Sequence, residues 1–216
     1  MKKILCVCLI AFSILGISGC KNNDNDVNFT YFKDKISNIE GYKHYSVSQS
    51  VYSGSLLTYN KEKKVYLSNE KYRIEIVEKV INGLESENMY SENTEEYYQN
   101  GTDFYYMDNG EWKIKQNEKM SGLGYSISKK MFAKYSIEEK NNVKYFSGDL
   151  KNEELSSFLG FDLQGVSEAK LKIEVSSTNK LKVVSLEYKE ENGNIVLVSI
   201  SVGYTQVIKF DLPIVK

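Results

Sequence analysis

The chain has 216 residues, with 28 Lys plus Arg against 29 Asp plus Glu and a formal net charge of −1. A near-neutral chain whose one arginine is Arg73 lacks the basic excess that draws phosphate backbones, which speaks against nucleic acid as a partner. All three cysteines (Cys6, Cys8, Cys20) fall within the first twenty residues, which leaves His44 as the sole nitrogen or sulfur zinc ligand in the rest of the chain.

The first element is Met1 to Cys20. Lys2 and Lys3 give a positive start, Ile4 to Ile14 is almost wholly apolar, and Leu15-Gly16-Ile17-Ser18-Gly19-Cys20 ends on small residues before a cysteine. That order is the layout of a secretory signal peptide. An apolar core of about eleven to fourteen residues is short against the roughly 20 that span hydrocarbon. The ending Ile17-Ser18-Gly19-Cys20 resembles the lipobox of bacterial lipoproteins. This resemblance implies that residues 1–19 are a signal peptide cut just before Cys20, and that Cys20 carries a diacylglyceryl group. The membrane is then a partner through the lipid on Cys20, and the protein is extracytoplasmic. Two acyl chains hold a protein stably where one holds it marginally. Cys6 and Cys8 leave with the leader, so no disulfide forms within the remaining domain. Residues 20–27 read as the lipidated cysteine and a tether, since Lys21 to Asp26 (KNNDND) has no apolar residue to hold it down.

Residues 28–216 suit one domain. Phe29, Phe32, Ile36 and Ile39 fall on one face of a predicted helix, with Asn28 as N-cap and Gly41 just past its end. From Lys43 the period becomes two. Tyr45, Val47, Gln49 and Val51 share one parity, and Val65, Leu67, Tyr72, Ile74 and Ile76 alternate with polar residues. Glu85 to Gln99 reads as a polar, tyrosine-bearing strand region. The runs Phe104-Tyr105-Tyr106 and Trp112-Lys113-Ile114 flank Asn109-Gly110, a strong hairpin signal that recurs at Asn192-Gly193. Ser126 to Tyr135 and Asn152 to Leu159 read as two short lid helices, with Val143 to Leu150 as a strand between them. Three more strands follow in Leu171–Val175, Leu181–Tyr188 and Ile195–Tyr204, and Val207 to Val215 is expected as a closing edge strand ending near Pro213. The expected class is α+β, mainly β: a curved antiparallel sheet with an N-terminal helix and short lid helices.

Catalytic chemistry is thin. No Gly-x-Ser-x-Gly elbow, phosphate-binding loop or dinucleotide fingerprint occurs, and the remaining domain has no free thiol to pair with His44. Glu95 and Glu96 point to opposite faces of a strand, the wrong geometry for shared acid–base work. The chain therefore reads as a non-enzyme, with no cofactor implied. Its seventeen tyrosines suit half-buried strands, covering apolar area while keeping a wet hydroxyl.

In layout the chain is similar to the lipoprotein-carrier superfamily typified by LolA and LolB, and to the mycobacterial lipoproteins LprG and LppX. The features that carry the likeness are the entering helix with Phe29, Phe32, Ile36 and Ile39, and the strand pair running from Val65-Tyr66-Leu67 to Tyr72-Arg73-Ile74. The aromatic hairpin ending at Trp112 and the terminal Phe210-Asp211-Leu212-Pro213 belong to the same set. The resemblance implies a half-barrel with acyl chains held between the curved sheet and its helices, at about 0.8 kcal/mol per methylene removed from water. Lining residues for such a lipid or other hydrophobic ligand would be Met131, Phe132, Leu155, Phe158, Leu159, Leu171, Ile173 and Val175; the same eight side chains would equally compose a plain core. The competing reading is a solid-cored cell-envelope interaction or structural module, whose protein partner the sequence does not name.

Overall fold

The structure is a computed structural model, and it describes residues 24–39, 41–68, 71–81, 90–117, 125–160, 163–205 and 208–215. The leader 1–19, Cys20 and the first residues of the tether lie outside the described residues. Helix α1 spans Asp24–Ser37, so it begins inside the segment expected to be tether. The strands are β1 (His44–Ser53), β2 (Leu56–Ser68), β3 (Lys71–Ile81), β4 (Tyr90–Asn100), β5 (Asp103–Asp108), β6 (Glu111–Gln116), β7 (Phe132–Lys140) and β8 (Val143–Leu150). Helix α2 (Asn152–Leu159) follows, then β9 (Ser167–Val175), β10 (Leu181–Lys189) and β11 (Ile195–Gly203).

Among the described residues, eleven strands form one antiparallel, curved and unclosed sheet in the order β6-β5-β4-β3-β2-β1-β11-β10-β9-β8-β7. Two meanders of sequential neighbours are thus joined at one seam, where β1 pairs with β11 from His44↔Gly203 to Tyr52↔Ile195. The expected fold class is the observed one. At the β5–β6 turn Asn109 (φ 49°) and Gly110 (φ 81°) both adopt left-handed backbone, which is what the Asn-Gly pair supplies.

Register decides which side chains share the concave face. Tyr45 and Val47 of β1 sit opposite Val65 and Lys63 of β2, which sit opposite Ile74 and Ile76 of β3. On the other side of the seam, Val47 faces Ile200, which faces Val184, then Ile173 and Phe146. The α1 stripe covers the second of these runs. Phe29, Phe32 and Ile36 are buried, and the Phe29 ring lies 6.1 Å from Phe132, 5.3 Å from Tyr135 and 5.8 Å from Phe146. The Tyr31 hydroxyl donates to Asn179 in the β9–β10 turn, fixing the helix to the end of the sheet. Helix α2 adds Leu155 and Phe158 beside it and stops at Gly160, whose φ of 77° and bond to the Ser156 carbonyl form a left-handed cap.

Two expectations are corrected. Ser126 to Tyr135 is not a helix: a single 3-10 turn (Lys129–Met131) leads directly into β7. The misleading signal was the three-residue spacing of Phe132 and Tyr135. A bulge between Phe132 and Lys134 inserts one residue, so both rings face inward although the segment is a strand. Val207 to Val215 is not an edge strand either, since residues 208–215 carry no strand pairing. Both neighbours of β11 are already occupied, by β1 and β10. The chain instead turns onto the convex side, where Phe210 lies 5.8 Å from Tyr98, itself 5.4 Å from Trp112.

Candidate ligand pocket

The eight residues expected to line a ligand site lie together in the core. Met131, Phe132, Leu155, Phe158, Leu171, Ile173 and Val175 are buried, and Leu159 packs against them partly buried. Phe132 stacks edge-on against Phe146 at 5.0 Å, over Gly148, where a Cβ would stand 2.5 Å from the Phe132 ring. Between α1, α2 and strands β7 to β11 the concave face is filled by side chains.

The facing half of the sheet is different. There Val65 and Ile74 are buried, but the other inward residues of β2 and β3, among them Tyr59, Lys61, Lys63, Leu67, Tyr72, Ile76 and Glu78, are only partly buried. There a pocket of about 230 Å³ is lined by Tyr45, Val47, Gln49, Lys61, Lys63, Ile76 and Tyr125. Six of these are consecutive inward positions of β1, β2 and β3, placed side by side by the pairs Val47↔Lys63 and Lys63↔Ile76. The seventh, Tyr125, comes from the connection between β6 and β7, the two outer strands of the sheet. Its described residues from Tyr125 onward lie on the concave side, with Ile127 buried in the core and Tyr125 stacked on Phe158 of α2 at 5.2 Å. Tyr125 is therefore the wall between the filled half and the open half.

The lining is amphipathic. Tyr45, Val47, Ile76 and Tyr125 supply apolar surface. Burial raises the phenol pKa of Tyr45 and of Tyr125, so both stay protonated donors at neutral pH. Lys61 lies 3.9 Å from Glu78, whose other oxygen role is taken by the Tyr59 hydroxyl at 2.6 Å. Lys63 has no ion pair or hydrogen bond among the described residues, and burial lowers its pKa. An ammonium held in this way is costly, because desolvation disfavours the charged form with no partner to offset it.

A wider depression of about 520 Å³ lies at the β10–β11 turn, lined by Leu163, Gln164, Val166, Glu190, Glu191 and Asn192. It is larger, yet it sits on turn residues away from the concave face and is more open to solvent, so its size is no measure of a site. Among the described residues no group of three His, Cys, Asp or Glu could hold a metal ion. No helix of the described residues is long and apolar enough to cross a membrane.

Sequence reasoning did not single out Lys63 or Tyr125. The signal for Lys63 was present: it occupies the same parity as Val65 and Leu67, an inward position in a strand of inward apolar residues. Tyr125 had no such signal, since its place depends on a crossing between strands at opposite edges.

No family model matches the sequence, and a search of curated proteins returns no match. Among solved structures the chain is similar to LprF from Mycobacterium bovis, with 14% identity, a TM-score of 0.43, and coverage of 83% of this chain and 93% of that one. It is also similar to a LolA superfamily protein from Nitrosomonas europaea, with 11% identity, a TM-score of 0.30, and coverage of 84% and 91%.

Proposed function

We propose that the protein is a lipid-anchored, extracytoplasmic lipoprotein that binds a hydrophobic or amphiphilic ligand on the open half of its concave face. The anchor rests on Met1 to Cys20, whose lipobox-like ending places the lipid on Cys20. The ligand reading rests on one observation: half of the concave face is filled by the domain's own helices, while the other half keeps a ring-walled pocket of about 230 Å³. Ligand sites of drug size occupy roughly 300–1,000 Å³, so this pocket takes part of a lipid and leaves the rest along the open sheet. In this reading Met131, Phe132, Leu155, Phe158, Leu159, Leu171, Ile173 and Val175 are the rigid backing of the site, with Phe158 holding the Tyr125 wall in place.

The test is photocrosslinking in whole cells, with benzoylphenylalanine placed at position 47, inside the pocket, or at position 48, its neighbour on the convex face. Lipid adducts identified by mass spectrometry at position 47 and absent at position 48 are the expected result. Protein adducts at both positions without lipid would instead favour a solid-cored interaction module.

A further inference from the structure

Among the described residues, charge within the pocket is unbalanced by one. Lys61 is offset by Glu78 at 3.9 Å, and Glu78 also accepts from Tyr59. The nearest inward carboxylate beyond Ile76 is Glu95, directly across the β3–β4 ladder, and it accepts from the Tyr97 hydroxyl at 2.6 Å. Arg73, the only guanidinium, is on the other face of the sheet, bound to Glu75 at 2.6 Å and Glu96 at 2.5 Å. Lys63 remains, partly buried between Val47 and Ile76, with no counter-charge among the described residues. We propose that this pocket selects amphiphiles with a single negative charge, seating the anionic head group on the Lys63 ammonium and the start of the chain against Tyr45 and Tyr125. The proposal rests on the reading above that the pocket holds an amphiphile, and adds the chemistry of its head group.

The physical case is that a monoanion supplies what Lys63 lacks. A bound carboxylate or phosphodiester restores a partner to a desolvated cation, and a charge-assisted hydrogen bond in a drier setting is stronger than one in water. A neutral lipid filling the same space would leave the ammonium further desolvated and still unpaired. Gln49 and the protonated phenols of Tyr45 and Tyr125 add neutral donors on the same lining, and none of them brings a negative charge. A lysine is a point charge without the fork of a guanidinium, so the site reads charge and not the geometry of one particular oxyanion. Fatty acid carboxylate and phospholipid phosphodiester both satisfy it.

The experiment uses the full-length protein in isolated membranes and three clickable diazirine probes with the same acyl chain: the free fatty acid, its neutral glycerol monoester, and phosphatidylglycerol. At least one anionic probe is expected to label the protein on the order of tenfold more than the monoester, the factor that one charge-assisted bond provides. Lys63→Met keeps the length of the side chain and should abolish that preference, while Lys63→Arg should keep it. Whichever anionic probe labels more strongly names the source of the head group. Equal labelling by the neutral and anionic probes, or a preference that survives Lys63→Met, would overturn the charge proposal and leave the amphiphile reading standing. Absence of labelling by all three probes would overturn both. Circular dichroism on each variant separates lost selectivity from lost fold.

Discussion

The two halves of the sheet are built from the same pleated material and finished differently. On β7 to β11 the inward residues are Phe146, Leu171, Ile173, Leu186 and Ile200, all buried beneath α1 and α2. On β1 to β3 the corresponding inward run includes Gln49, Lys61, Lys63 and Glu78, partly buried, with Tyr125 standing beside them from outside the sheet. Apolar surface removed from water stabilises the first half by roughly 25 cal/mol per Å². The second half, where Tyr45, Val65 and Ile74 are buried but Gln49, Lys61, Lys63 and Glu78 are not, forgoes part of that contribution and keeps an open pocket.

Breaking the filled half should have the largest effect. Phe32→Ala removes a fully buried ring at the centre of the aromatic cluster and should cost about 3–5 kcal/mol in denaturant unfolding, through lost transfer energy and the cavity left behind. Gly148→Val is the complementary test by overpacking. With a Cβ directed to within 2.5 Å of Phe132, the strand or the ring must shift, at about 1–3 kcal/mol. The same change at a glycine of the open turns would lack that contact.

In the open half the sign reverses. Lys63→Met should leave stability at pH 7 unchanged or raised, because it replaces a desolvated cation by an apolar stem of similar length. The pH dependence follows from the direction of the shift. The folded pKa is below the ordinary 10.5 of the unfolded chain, so between the two values the unfolded state binds more protons. Stability from this residue therefore rises with pH through that window and is lowest below it. The advantage of Lys63→Met over the parent should be greatest near neutral pH and shrink as the pH is raised towards 10.5, as followed by urea midpoints. The smallest effect is expected on the convex face. Arg73→Met breaks the bonds to Glu75 and Glu96, but these groups are about a third exposed, and thermal melts should register no more than about 1 kcal/mol.

Much of the fold was legible because its signals are local. The stripe Phe29, Phe32, Ile36, Ile39 forms one buried face, the two Asn-Gly turns end strands where expected, and Val143–Leu150 and Asn152–Leu159 are the observed β8 and α2. The failures have local causes too. A bulge gave β7 the spacing of a helix at Phe132 and Tyr135, and the tail after β11 resembled a strand although residues 208–215 carry no strand pairing and Phe210 packs by its ring on Tyr98. The site was less legible. Whether Lys63 faces a cover or open space depends on which half α1 docks upon, and that is settled by Phe29 meeting Phe132 and Phe146, more than a hundred residues further along the chain.

The seam between β1 and β11 has a consequence for how the protein comes into being. Apart from the β1–β11 seam, every pairing within β1 to β6 and within β7 to β11 is between strands consecutive in sequence. Joining them requires Val47 to find Ile200. Loop closure over so long a separation is entropically slow, and topologies dominated by such pairings fold late. Until β11 has emerged from the ribosome, β1 is an unpaired edge carrying Tyr45, Val47 and Val51. A chain of this order completes its central pairing last, and the open edge of β1 is where wrong pairing during folding would start.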